Sequence, residues 1–471
     1  MGKFKFFGLL FIGGLLSLLT SCLEGDKVER DEWNYGNAQI LSFALSSDDI
    51  DLSGVKFTID QLNGKIYNRD SLPFGTVLAN KLIVTIEFET SYVGWYHFIP
   101  EATGDTIIST NDSIDYSAPV MLTICAIDGI STKTYETKLN IHQVNPEKMI
   151  WERYAEIIPG KEFQDMKTLL FKDDLYLFTV ESGDYHVYRS DVEAIGNWEK
   201  LSLSGFPDHA ILSQLTAFEQ ILYVITAEGS IYCSDDGQGW IQAESELPFK
   251  SLLGYLPADT ISGRAAVMCC IAETDGVLRF VTIDEAFTCT QGTVVPETFP
   301  LSGFGQFSYE TRYYPRLVVA SGSDVNNNLS DMTWATMDGI TWATLSNPHA
   351  SFSGREGATV AYYDKCFFVI GGMNESSQSL KDVHFSIDQG ITWLSTIAVL
   401  IEEKEDYYEE DQYTYEEIFP MPDDFEGRGY MSVLIDKDNY IWLFGGKAGN
   451  NTNCWNEIWR GRINRLGFGK D

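Results

Sequence analysis

The sequence predicts an all-β protein, with an immunoglobulin-like β-sandwich over residues 35–146 followed by a six-bladed β-propeller over residues 147–467. Two observations lead to this fold class. Short apolar runs separated by turn residues fill the first region, and one type of apolar run recurs throughout the second. With 44% apolar and 13% aromatic residues, the 471-residue chain has enough apolar mass for both cores.

The first region is predicted to form short strands joined by turns. Seven or so such strands over about 110 residues is the size and rhythm of an immunoglobulin-like sandwich. Asn145-Pro146 ends the unit, because proline and the residue before it interrupt a strand. The clearest strands are predicted at Gln39–Leu45, Val55–Ile59, Lys81–Glu87, Val120–Ile127 and Thr134–His142.

The second region contains an internal repeat. Its six apolar runs begin at Leu175, Leu222, Val267, Leu317, Phe367 and Ile441, which are 47, 45, 50, 50 and 74 residues apart. A period of about 40 to 50 residues with four strands per unit is typical of a propeller, so six runs predict six blades. The last unit lacks an outermost strand, and we expect Met149–Ile157 to supply it and close the ring.

Three turns share a pattern in which a hydroxyl residue, an aspartate, a glycine and a tryptophan follow one another. We expect the aspartate to accept backbone N–H groups, the glycine to take positive φ, and the tryptophan to pack between adjacent sheets. These turns resemble the Asp boxes of sialidase-like propellers, while Gly371-Gly372 and Gly445-Gly446 resemble kelch repeats. The resemblance implies that these turns have an architectural role. The Asp-box residues are Ser234, Asp236, Gly237, Trp240, Asp338, Gly339, Trp342, Ser386, Asp388, Gly390 and Trp393.

The N-terminus has the features of an export signal. Lys3 and Lys5 precede the apolar run 6–19, which is shorter than the roughly 20 residues of a membrane span. Residues 19–22 (LTSC) resemble a bacterial lipobox, which implies a signal peptide over 1–21, lipidation of Cys22 and a tether over 22–34. The alternative is a cleaved soluble signal with an incidental cysteine.

The acidic stretch after Cys22 resembles the sorting signal of Bacteroidota surface lipoproteins, although a flexible tether would look the same. A lipobox, a small sandwich and a repeat-built propeller together resemble a family of uncharacterised Bacteroidota lipoproteins. The resemblance implies an outer-membrane lipoprotein, at the cell surface or facing the periplasm, and carries no activity with it.

Charge and residue spacing exclude several classes of partner. With 33 basic and 68 acidic side chains, the chain has a formal charge of −35, so we expect no nucleic-acid partner. The six histidines form no HxH or HxxxH pair, and no CxxC occurs. We therefore expect no metal and no cofactor.

Polar loops on one face of the predicted ring form the candidate ligand site. Arg355 and Arg428 occupy equivalent loop positions at the mouth of the channel, and nearby loops are rich in asparagine. Amides both donate and accept hydrogen bonds, and an aromatic ring can stack on a sugar. The alternative is that the asparagines only form turns and the arginines bond neighbouring carbonyls. The predicted ligand-binding residues are Arg355, Arg428, Asn374, Asn450, Asn451 and Trp455.

The interval before the sixth run is long because of an acidic, tyrosine-rich insertion at 402–417, which contains nine carboxylates, one lysine and four tyrosines. Such a segment is most often a solvated loop. The other interpretations are a lid, a Ca²⁺-attracting patch or a segment that docks a protein partner through its tyrosines.

These features favour a non-catalytic envelope lipoprotein whose propeller binds a ligand, preferably a glycan. One alternative is a protein-interaction module of an envelope complex. Another is a sialidase-like glycoside hydrolase, but the chain has no FRIP-type motif, and Tyr313-Tyr314-Pro315-Arg316 is at best a scrambled version. We therefore predict that the protein is not an enzyme.

Overall fold

The computed structural model describes residues 35–78, 82–245, 247–395, 397–400, 414–449 and 453–468. The chain divides after Asn145 into two compact units. Several sequence predictions lie outside the described residues: the signal peptide over 1–21, Cys22, the tether over 22–34, Asn450, Asn451 and residues 402–413 of the acidic insertion.

The first unit is built from seven strands: β1 (Ile40–Ser46), β2 (Phe57–Asp60), β3 (Lys65–Asn68), β4 (Ile83–Phe88), β5 (Trp95–Pro100), β6 (Val120–Cys125) and β7 (Thr132–Lys138). One sheet has the order β2-β3-β7-β6-β5 and the other pairs β1 with β4. All pairs are antiparallel except β3 with β7. Alternate residues of both sheets, such as Leu122 and Val84, enter one hydrophobic core.

The second unit begins with one separate strand, continues with five groups of four consecutive strands, and then has a pair and a final group of three. The strands are β8 (Met149–Ala155), β9 (Asp165–Phe171), β10 (Asp174–Glu181), β11 (Asp184–Asp191), β12 (Glu199–Leu201), β13 (Thr216–Phe218), β14 (Ile221–Ile225), β15 (Ile231–Ser234), β16 (Ile241–Gln242), β17 (Phe249–Leu256), β18 (Val267–Thr274), β19 (Val277–Ile283), β20 (Cys289–Val294), β21 (Gly305–Glu310), β22 (Pro315–Ala320), β23 (Thr333–Thr336), β24 (Ala343–Thr344), β25 (Thr359–Tyr363), β26 (Cys366–Met373), β27 (Ser379–Ser386), β28 (Leu394–Ser395), β29 (Ile397–Leu400), β30 (Thr414–Glu417), β31 (Ser432–Ile435), β32 (Ile441–Phe444) and β33 (Ile458–Ile463). Short 3₁₀ helices lie at Val192–Ala194, Leu212–Gln214 and Asn464–Gly467.

These strands form a closed ring of radial sheets. The described residues contain six four-stranded antiparallel sheets in this unit, and the apolar repeat runs lie on the second strand of each. The first strands β9, β13, β17, β21, β25 and β31 adjoin one another around the ring, with β31 next to β9. A separate hydrophobic cluster fills each gap between neighbouring sheets. Each sheet therefore buries both faces only because it has a neighbour on each side.

The two ends of the unit meet in the last sheet, as the sequence predicted. That sheet has the order β31-β32-β33-β8, so the first strand of the unit is the outermost strand of the final sheet. Trp151 pairs with Gly461 across this junction, and Met149 and Trp151 are 2% and 8% exposed. An exposed edge on β33 is thereby removed.

The three aspartate turns join the third and fourth strands of their sheets and show one hydrogen-bond pattern. In the first turn, Asp236 Oδ1 accepts the N–H groups of Gln238 and Gly239 at 2.8 Å each. Gly237 has φ of 75°, and Trp240 is 4% exposed among residues of the preceding sheet. Asp338 and Asp388 bond the N–H groups of Thr341 and Thr392 in the same way.

Strand direction decides which loops share a face. We call the face on which the six first strands begin the upper face. Because neighbouring strands are antiparallel, loops between second and third strands lie on the upper face, as do the connections that enter each sheet. The aspartate turns lie on the opposite face. Loops 321–332 and 374–378 and the described residues between β32 and β33, 445–449 and 453–457, are therefore all on the upper face.

Candidate ligand-binding site

The inner strands surround a cavity of about 310 Å³. Its wall comes from the beginnings of β9, β13, β21, β25 and β31, together with Leu252 of β17. Hydroxyl and amide groups line it near the upper face, and leucines and valines line it further along the strands. The polar wall residues are Asp165, Lys167, Thr168, Ser213, Gln214, Thr216, Gln306, Thr359, Tyr430 and Lys447.

Three charged side chains line this cavity. Lys447 Nζ lies 2.9 Å from Asp165 Oδ1, which also accepts the N–H of Met166. Lys167 is partly buried, and burial lowers the pKa of its ammonium group, with the charge of Asp165 opposing that shift. Two lysines and one aspartate leave the described lining with a net charge of +1 in a chain of −35.

Tyr430 occupies an unusual backbone position at the upper end of the cavity. It lies two residues before its inner strand, as Gly303 and Gly357 do in the two preceding sheets, and all three have positive φ, of 58°, 59° and 64°. The N–H of Tyr430 donates to Gly357 O, and that of Gly357 donates to Gly303 O, at 2.6 Å each. A non-glycine residue in this conformation costs roughly 1 kcal/mol or more, so the tyrosine is held there by its surroundings.

The side chain of Tyr430 packs over the neighbouring glycines. A Cβ atom at Gly357 would lie 2.6 Å from the Tyr430 ring, and one at Gly303 would lie 3.1 Å from its hydroxyl. Burial raises the pKa of Tyr430, and the nearby carboxylates of Glu356 and Asp165 raise it further. The phenol therefore stays protonated and acts as a hydrogen-bond donor.

Arg355 is completely buried and fully engaged by protein groups. Its guanidinium donates to both carboxylate oxygens of Asp382, at 2.8 and 3.0 Å, and to the carbonyl of Gly371 at 3.0 Å. Burial of Asp382 opposes its ionisation, but hydrogen bonds from His384 and Arg355 and the charge of Arg355 lower the pKa of Asp382 well below its usual range. Arg355 thus connects its own loop to the glycine doublet Gly371-Gly372.

Arg428 repeats this arrangement one sheet later. It is 1% exposed, donates to the carbonyl of Gly445 at 3.3 Å and forms an ion pair with Glu457 at 2.9 Å. Its guanidinium carbon lies 4.4 Å from the Phe425 ring centroid and 4.7 Å from that of Trp455. This burial favours the alternative in which the two arginines bond neighbouring carbonyls, because neither can contact a ligand without losing these partners.

Two further predicted ligand-binding residues, Asn374 and Trp455, lie on the upper face but do not line the cavity. Asn374 accepts the N–H groups of Ser376 and Gln378 at 3.0 Å each, so it closes its own turn. The Trp455 ring packs against the Arg428 guanidinium, so one face of the ring is already occupied. The four predicted residues that the structure describes are therefore not brought together at the cavity, and Asn450 and Asn451 lie outside the described residues.

The residues that do line the cavity were missed by the sequence reasoning. Tyr430 could have been found, because it follows Arg428 by two residues at the place where Gly357 follows Arg355. A tyrosine in the glycine position of a repeat is a visible exception. Lys167 carries no such local signal, because it lies within an ordinary strand sequence.

Two kinds of feature do not occur in the described part of the chain. No group of three or more histidine, cysteine, aspartate or glutamate side chains there could hold a metal ion. None of the helices within the described ranges is long and apolar enough to cross a membrane.

The comparison with protein families agrees with the ring of sheets. Residues 145–471 match the DUF6242 beta propeller domain, and residues 30–139 match the N-terminal domain of the same family, a domain of unknown function. No curated protein matches the chain. Among solved structures, YjhT is similar at 12% identity and a TM-score of 0.43, covering 64% of this chain and 96% of its own. The family match over residues 145–471 shows that the second unit is a β-propeller and that the chain belongs to the DUF6242 family.

Proposed function

We propose that the propeller is a non-catalytic binding module that takes a glycan in its central cavity. The observation that carries the proposal is the cavity of about 310 Å³, which is large enough for a small ligand. Amides and hydroxyls of Gln214, Gln306, Ser213 and Thr216 line it, and such groups match the donors and acceptors of a sugar.

The chemistry of the cavity supports binding rather than hydrolysis. A sialidase-like reaction would need a tyrosine that ionises readily and arginines that hold a carboxylate. Tyr430 has a raised pKa, and no arginine lines the cavity within the described residues. Arg355 and Arg428 are already committed to protein partners.

The test is to fill the cavity. Thr216 lines it, so Thr216→Trp should abolish glycan binding on a broad array of immobilised glycans, whereas Thr344→Trp, on the exposed outermost strand β24, should leave binding unchanged. Circular dichroism checks that both variants fold. If Thr216→Trp still binds, the cavity is not the site.

A different pattern would favour a protein-interaction module. In that case no glycan is bound, a defined envelope protein is captured in a surface pull-down, and deletion of residues 402–417 abolishes capture without changing the thermal transition. Strand β30 lies within this insertion and pairs with β29, which lies just before it. Neither strand belongs to the six four-stranded sheets, so the deletion removes no strand of those sheets.

We also propose the finer architecture and the location. The first unit has two sheets around one core, which supports an immunoglobulin-like sandwich. In the second unit, β8 closes the ring in the sixth sheet, which supports a propeller of six blades. The aspartate turns serve as Asp boxes, and the glycine doublets as kelch elements.

A lipid on Cys22 would hold the protein in the outer membrane. Cys22→Ala should abolish metabolic labelling by a fatty-acid analogue and leave an unprocessed precursor, because the acylated cysteine is the cleavage point of a lipobox. Cys454→Ala, which removes a buried thiol, is the control and should remain labelled. Protease added to intact cells distinguishes surface display from a periplasmic orientation. A soluble wild-type protein without lipid would contradict the proposal.

A further inference from the structure

The cavity contains one ammonium group that has no ion-pair partner among the described residues. Lys447 and Asp165 form an ion pair, while the ammonium group of Lys167 has no hydrogen bond or ion pair among the described residues. An enclosed ammonium without a partner is unfavourable, because desolvation penalises the charged form. Lys167 is therefore suited to an anionic group that enters the cavity from outside.

Other groups in the wall can complete such a site. Thr168 lines the cavity and is 4% exposed, yet its hydroxyl oxygen has no hydrogen-bond partner. Gln214 accepts the N–H of Leu252 through Oε1 at 2.8 Å, which leaves its amide NH₂ as the group available to a ligand. Each of these groups can donate to an oxygen atom.

The charge balance favours a carboxylate over a phosphate. The lining carries a net charge of +1, which matches one carboxylate, whereas a phosphate group carries nearly two negative charges at neutral pH. Arginine, the residue best suited to bidentate phosphate binding, does not line the cavity within the described residues.

We infer that Lys167 anchors a carboxylate-binding subsite in the central cavity, and that the ligand is an acidic sugar of the size class of a uronic acid. The inference rests on the proposed function, because the sugar part of the ligand is taken from it. The carboxylate contacts the Lys167 ammonium, and the sugar hydroxyls face the amide and hydroxyl groups of the wall.

The experiment uses two probes that differ only at C6, methyl glucuronide and methyl glucoside. By isothermal titration calorimetry, the full-length protein should bind the glucuronide at least about tenfold more tightly, the range of one charge-assisted hydrogen bond. Lys167→Met should abolish this preference. Lys250→Met is the control, because Lys250 is exposed and lies outside the cavity.

Proton uptake gives a second readout that a purely structural lysine would not show. A bound carboxylate favours the charged form of Lys167, so at alkaline pH binding should take up protons, measured in buffers of different ionisation enthalpy. Asp165, Lys447, Tyr430 and Glu356 also lie at or near the cavity, so uptake must disappear in Lys167→Met to be assigned to Lys167.

The outcomes separate the two proposals. Equal binding of both probes, or an unchanged preference in Lys167→Met, would overturn the carboxylate subsite. If neutral glycans bind and Thr216→Trp blocks them, the proposed function stands while this inference fails. If no sugar binds at all, both are wrong.

Discussion

Replacing Arg428 with alanine is expected to lower the free energy of unfolding of the propeller by about 2–5 kcal/mol, the range for truncating a large buried side chain. Glu457 is only 9% exposed and would lose its 2.9 Å ion pair with Arg428. The rings of Phe425 and Trp455 would lose the guanidinium that both contact, which leaves a cavity. Glu457 would keep its ion pair with Arg153 at 3.2 Å and the hydrogen bond from Trp459, so the cost comes mainly from the lost packing and the lost Arg428 contacts.

Urea unfolding followed by tryptophan fluorescence measures this effect, since 9 of the 11 tryptophans lie in the second unit. Arg312→Ala is the control, because Arg312 is exposed, and we expect a change of about 0.5 kcal/mol or less. Arg428→Lys should recover only part of the lost free energy of unfolding, since lysine lacks the planar, forked guanidinium group of arginine. Lost ligand binding with unchanged stability would contradict this structural role and restore Arg428 as a ligand-binding residue.

Removal of strand β8 is expected to prevent the propeller from folding. A chain that begins at Pro146 retains β8 and should unfold cooperatively, whereas a chain that begins at Glu156 lacks it and should be aggregated or without fixed tertiary structure. Without β8, the edge of β33 is unpaired, and the core between the fifth and sixth sheets loses Met149 and Trp151. Near-ultraviolet circular dichroism and size-exclusion chromatography report the difference.

Two neighbouring substitutions in the full-length chain test the same closure without truncation. Trp151→Ala should cost about 3–5 kcal/mol, because the Trp151 side chain is 8% exposed and packs directly on Gly461. Ile150→Ala should cost less than about 1 kcal/mol, since Ile150 is 51% exposed on the other side of the strand. Equal effects at the two positions would show that β8 does not lock the ring.

The sequence by itself determined the repeat and the way it closes. Each of the six apolar runs is the second strand of a sheet, and 149–155 completes the last sheet. The aspartate turns were also predictable. Asp236, Gly237 and Trp240 act within one short segment, so their roles follow from local geometry and from a tryptophan that must be buried.

Only the tertiary structure decided which polar groups face a ligand. Arg355 and Arg428 lie in upper-face connections, but their guanidinium groups donate to the carbonyls of Gly371 and Gly445, which lie 16 and 17 residues further along the chain. Spacing indicates where a residue lies on the ring, whereas its partners depend on how loops from adjacent strands pack.

Which residues meet at the cavity also could not be predicted from sequence spacing. Lys167 comes from the first sheet and Tyr430 from the last connection, and both line one wall only because the ring closes between them. No local sequence pattern explains why Lys167 has no ion-pair partner among the described residues. The single acidic side chain that lines the cavity within the described residues, Asp165, is already paired with Lys447. A strand pattern encodes burial through its period, but the charge balance of a cavity is a sum over residues that meet only in the folded ring.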